Sequence, residues 1–191
     1  MKRYLIASLV VAVALSLGIG PVLAHDGHNP NDPNPSPNAS TSQDVGYAKV
    51  TVNFGRPGVK GRAIWGELVP YNGGDPRPWV AGANGSTIVT FEEAIKINGN
   101  ELEAGSYGLH MIPAKDEWTI IFSSDASRFG IMSYTPDKDA LRVTATPTEA
   151  PFQEWLSYEI VKTDLLTADV NLRWENLSVG FSVEGQDHRE K

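Results

Sequence analysis

Apolar and polar residues alternate with a period of two along most of this chain. Ala48, Val50, Val52 and Phe54 interleave with Lys49, Thr51 and Asn53. Tyr107, Leu109 and Met111 interleave with Gly108, His110 and Ile112, and Trp118, Ile120 and Phe122 repeat the rule. Leu141 and Val143 continue it, then Leu156, Tyr158 and Ile160, then 168–174 and 177–183. A strand turns successive side chains to opposite faces, so these runs predict half-buried antiparallel strands. Asn98-Gly99, between Ile97 and Leu102, suits a hairpin turn that needs positive φ at both central residues. Residues 113–116 separate a second pair, and Glu175-Asn176 is expected to turn the last. Helix fits only two short stretches, 61–68 and 124–129, where Ser124 or Asp125 could cap a single turn. About nine strands and no long amphipathic helix predict an all-β, two-sheet antiparallel β-sandwich, Ig-like or jelly-roll-like.

The ends of the chain break the pattern. Lys2 and Arg3 precede an apolar run from Leu5 to Leu17, which Gly18, Gly20 and Pro21 interrupt before Val22-Leu23-Ala24. That is the form of a cleaved secretory signal over 1–24, too short and broken for a permanent span. Residues 25–44 are rich in Pro, Asn and Ser and read as a disordered tether, leaving 45–184 as the sandwich domain and 185–191 as a flexible tail. The expected location is therefore outside the cytoplasm, periplasmic or secreted, with no membrane span after cleavage. The chain has no cysteine, so stability must come from core burial alone. Lys and Arg total 16 against 23 Asp and Glu, a net charge of −7. Nucleic acid, which is bound by neutralising phosphates, is excluded as a partner on that balance.

One long loop departs from the alternation without losing its apolar content. It runs Gly55-Arg-Pro-Gly-Val-Lys-Gly-Arg62, Ile64-Trp-Gly-Glu-Leu-Val-Pro70 and Ala81-Gly-Ala-Asn84. Structured loops of this length are usually functional. Arg56, Lys60 and Arg62 lie among glycines that permit close backbone approach, and guanidinium forks suit carboxylate or phosphate. With Arg77, Asn84 and an aromatic platform from Trp65 and Trp79, they form the candidate ligand-binding set. The expected partner is a small anion, a glycan or a protein. The competing structural reading has the arginines pin the loop and the tryptophans join the core.

The blocks R-P-G-V-K-G-R-x-I-W-G-x-L-V-P-Y, W-x-x-G-A-N, I-N-G-x-x-L-x-A-G-S-Y-G-L, I-P-x-x-D-E-W-T-I-I-F and D-x-L-R-V carry a family resemblance. They resemble an exported bacterial family, domain-of-unknown-function family 2911, over residues 45–183. The resemblance implies a β-rich exported domain and brings no activity with it. Relatives usually read G-x-V-W-R-T-G-A-N-E-A-T in the second block. This chain has an insertion before Trp79, Val80 in place of the Arg and Gly85 in place of the Glu, with Arg77 as a substitute cation.

A non-catalytic binding or envelope-associated module follows as the leading expectation. The rival is a hydrolase or metal-dependent enzyme built on His110 and Glu67 with Arg56 and Arg62, since histidine is the usual acid–base group near neutral pH. The chain offers that histidine no cysteine and no G-x-S-x-G elbow. His25, the first residue after cleavage at Ala24, and His28 form a weak copper or zinc alternative. Glu92-Glu93 and Asp137-Asp139 lack the oxygen-rich spacing of a calcium loop. No cofactor is expected. A third possibility is a purely structural protein that assembles through exposed edge strands.

Overall fold

The computed structural model describes residues 33–71, 78–127 and 134–188. Within these residues ten strands form two antiparallel sheets that do not close into a barrel. The six-stranded sheet contains β1 (Asn38–Val45), β2 (Ala48–Gly55), β3 (Thr87–Phe91), β6 (Gly105–Ile112), β7 (Trp118–Ser123) and β8 (Asp139–Ala145), in the order β1-β2-β3-β6-β7-β8. The four-stranded sheet contains β4 (Ile95–Ile97), β5 (Asn100–Leu102), β9 (Thr148–Lys162) and β10 (Thr167–Gly185), in the order β5-β4-β10-β9. The period-two residues meet between the sheets: Val50, Val52, Val89, Leu109, Met111, Ile120 and Phe122 share one core with Leu156, Val170, Leu172, Phe181 and Val183. Removing these apolar side chains from water is the main favourable term holding the fold.

The turn chemistry works as expected at 98–99, where Asn98 (φ 46°) and Gly99 (φ 80°) link β4 to β5. It does not at 175–176. β10 runs straight through that position, and Glu175 (φ 56°) sits at a register shift against β9. A bulge absorbs the irregular residue while the flanking apolar positions stay on the core face.

The tether reading of 25–44 also needs correction, because Asn38–Val45 is a strand. Its side chains bury little. Even so, β2 supplies a full ladder from Asn38↔Gly55 to Val45↔Ala48, Ser42 and Thr51 hydroxyls meet at 3.0 Å, and Val45 is buried. Neither short helix forms in the described residues. Gly61 (φ 68°) and Gly66 (φ 85°) take left-handed conformations that interrupt 61–68, and 124–127 is irregular; Arg128 and Phe129 lie outside the described residues. The tail is held as far as His188, whose Nε2 lies 2.9 Å from Glu93 Oε2 and whose ring stacks on Tyr47 at 4.5 Å.

Candidate functional site

The glycine-rich loop after β2 turns back along the free edge of β9. Val59 N–H donates to Glu154 O at 2.8 Å, Leu156 N–H donates to Pro57 O at 3.0 Å, and Gly58 bridges Trp155. The cations are committed to the same task. Arg56 Nε donates to Leu156 O at 2.9 Å. Arg62 Nε donates to Val59 O at 3.1 Å, and its Nη2 bonds Gly58 O. Lys60 Nζ reaches Pro35 O at 3.3 Å and lies 5.4 Å from the Trp155 ring centroid. An open sheet edge invites pairing with other chains, and this loop covers the middle of it.

Trp65, Trp79 and Asn84 also pack or bond within the chain, although the buried Trp65 Nε1 has no hydrogen-bond partner among the described residues. Trp65 sits edge-on to Trp79, Trp118 and Trp174 at 6.0, 5.1 and 5.7 Å, while Trp79 stacks on Trp174 at 6.1 Å. Four indoles therefore pack at the core, and Trp79 Nε1 is satisfied by Gly82 O at 3.1 Å. Asn84 Nδ2 donates to Ser36 O at 2.7 Å and Asn34 Oδ1 at 3.2 Å. The loop thus grips the chain's own residues 34–37, and Arg56 N–H adds a bond to Pro37 O at 2.9 Å. Glu67 is exposed in the turn before Val69. Arg77, His25 and His28 lie outside the described residues.

Among the described residues, Arg56, Lys60, Arg62, Trp65 and Trp79 do not line the main hollows. Asn84 does, on the outer surface of the six-stranded sheet. There an open hollow of about 600 Å³ lies over β1, β2 and β3, rimmed by the 83–86 loop and Ala126. Its polar lining comes from Asn38, Ser40, Asn53, Asn84 and Ser86, its apolar lining includes Ile88, and none of its lining residues is charged. Gly85 is part of the wall.

Backbone strain shapes that wall. Ala81 (φ 51°, fully buried) and Asn84 (φ 67°) occupy left-handed conformations that non-glycine residues adopt at a cost. The bend is held because Ala81 O accepts both the Tyr158 hydroxyl at 2.8 Å and the Thr87 hydroxyl at 3.0 Å. Tyr158 is buried, and desolvation raises its pKa well above the ordinary phenol range. Gly55 lets the bend approach β2 closely: a Cβ there would fall 2.1 Å from Ala83 O. The glycine serves protein–protein packing within the chain.

His110 lies on this same outer surface. Its strand neighbours Leu109 and Met111 belong to the core, and its cross-strand partner Ile121 is buried but stands apart from that core. His110 is 1% exposed, and among the described residues neither ring nitrogen has a hydrogen-bond partner. Desolvation lowers its pKa below the usual imidazole value, opposed by the nearby Asp139 and Asp125 carboxylates. Tyr134 meets the ring edge-on at 5.8 Å. Arg56 and Arg62 instead bond carbonyls at the β9 edge, so the grouping of His110 with those arginines and Glu67 is not assembled. Among the described residues no group of three or more His, Cys, Asp and Glu side chains could hold a metal ion, and no helix is long and apolar enough to cross a membrane.

A family model described as "protein of unknown function (DUF2911)" matches residues 36–183. The chain belongs to the DUF2911 family. The match begins two residues before β1 and ends within β10, so the family unit contains the hollow, the strained 81–84 bend and His110. No curated protein and no solved structure matches the chain at a significant level. The DUF2911 blocks carried the signal for Trp79 and Asn84. Asn38, Ser40 and Ser86 gave none, because short polar residues in a Pro/Asn-rich or glycine-rich stretch look the same whether they face a hollow or solvent.

Proposed function

We propose that this DUF2911 protein is an exported, non-catalytic binding module that takes a neutral, hydroxyl-rich ligand of the glycan class in the hollow over β1–β3. The carrying observation is the chemistry of that lining: three carboxamides and two serines with no charged side chain, of which Asn84, among the described residues, keeps its carboxamide oxygen free while its N–H groups bond residues 34 and 36. Amides and hydroxyls both donate and accept, which matches sugar hydroxyls and gives an anion no counter-charge. The cations that favoured an anion are already bonded to backbone carbonyls. Export is supported by the basic start, apolar run and small-residue site of 1–24.

The test is a titration of the full chain with neutral oligosaccharides, followed by backbone amide shifts, with uronic acid oligomers and inorganic phosphate as comparators. Shifts centred on Asn53, Asn84 and Ser86 with the neutral sugars are expected. Gly85→Glu should abolish them by placing a carboxylate in the wall. Binding of the anionic comparators alone, or shifts confined to 56–62, would sink the reading.

A further inference from the structure

Gly108 is the outer-face residue of β6 between Ile88 and Ser123. Two groups crowd the space where its side chain would stand. A Cβ there would lie 2.6 Å from the Asp125 carbonyl oxygen and 3.1 Å from His110 Nε2. The segment that follows β7 therefore lies directly on β6 beside the imidazole. Its next residue, Ala126, and the cross-strand neighbour Ile88 both line the hollow. Ser86 Oγ, in the same wall, is buried and without a hydrogen-bond partner.

The charges facing His110 are already matched among themselves. From the segment after β7 come Asp125 and Lys138, paired at 3.1 Å; from β8 come Asp139 and Arg142, paired at 2.6 Å. Tyr134 bonds Asp139 Oδ2 at 2.9 Å and accepts from Arg142 Nη2 at 2.7 Å. β7 presents Ile121 and Ser123. A neutral imidazole in this setting leaves one donor and one acceptor unmet. An imidazolium would leave two donors and a buried charge unmet, which costs far more.

We propose that His110 is a proton-operated latch on the hollow: uncharged, it lets residues 124–127 lie closed against β6, and protonated, it drives that segment off and reshapes the Ala126 wall. Opening gives the imidazolium access to water or to Asp139 Oδ1, which is buried without a hydrogen-bond partner in the closed arrangement. Asp125 does not compete as the titrating group. Its bonds to the Ser127 side chain and amide, with Lys138 alongside, hold its carboxyl far below the usual carboxylate range. Control of ligand binding by acid rests on the proposed function above. The latch itself does not.

The deciding experiment is an NMR pH titration of the full chain without any ligand. The His110 ring signals should titrate with a midpoint below the free value of about 6.5. The amides of Asp125, Ala126 and Ser127 should shift with the same midpoint, and their hydrogen exchange, corrected for intrinsic pH dependence, should rise about fivefold or more. His110→Gln should remove that coupled transition, and Gly108→Ala should give the open-state shifts at neutral pH. Should either variant fail to fold, co-titration in the natural chain still decides. A His110 midpoint at or above about 6.5, or segment amides indifferent to it, overturns the latch. Because no sugar enters the measurement, failure of glycan binding leaves this result untouched.

Discussion

The 55–62 loop and the outer face of the six-stranded sheet distribute polar groups in opposite ways. The loop shows its chemistry openly, with three cations among glycines, yet those side chains contact backbone carbonyls, including Pro35 O, and a neighbouring ring. The outer face offers a plain mixture of Asn, Ser and one histidine, yet it holds the hollow and the unpartnered His110 and Ser86 atoms. Polar groups that are fully bonded inside the protein build structure. A buried group left without a partner keeps bonding capacity that folding has not used.

Substitutions in each region put the contrast to the test. Trp79→Ala should have the largest effect, a loss of about 3 kcal/mol in urea unfolding, because its ring stacks on the buried Trp174. If it instead left stability intact and removed ligand binding, the indole would belong to a site. Gly55→Ala should cost about 2 kcal/mol, since the new methyl meets Ala83 O at 2.1 Å and the strained bend must shift.

Arg56→Ala should lower the melting temperature by the equivalent of about 1 kcal/mol, through the lost bond to Leu156 O, and leave oligosaccharide titrations unchanged. Unfolding between pH 8 and 5 tests the other region. His110 has a depressed pKa when folded, so its contribution is intact above the unfolded value of about 6.5 and declines as pH falls toward the folded value. His110→Gln should flatten that part of the profile. Ser86→Ala should have the smallest stability effect, within about 0.5 kcal/mol, because its buried hydroxyl has no partner to lose. Asn53→Ala, at an exposed lining position, should instead weaken oligosaccharide binding, which separates wall from scaffold.

The strands of the core were legible because burial of one sheet face forces a period of two that no other local structure satisfies. Likewise Asn98-Gly99 declared its hairpin through the φ angles such a turn demands. The outlying strand was not legible. β1 is polar and exposed, and what makes it a strand is the β2 ladder, a property of its partner. β10 passed through an apparent turn because β9 could accommodate a bulge at Glu175.

The sequence alone therefore determined an all-β sandwich with an apolar interior, the family, and one unusual glycine-rich loop. Tertiary structure alone decided what that loop's polar groups touch. Arg56 bonds a carbonyl 100 residues away, and Asn84 bonds one 48 residues back. A hydrogen-bond partner is fixed by where distant backbone arrives in space, so residue type can announce a capacity to bond but not whether folding has already used it.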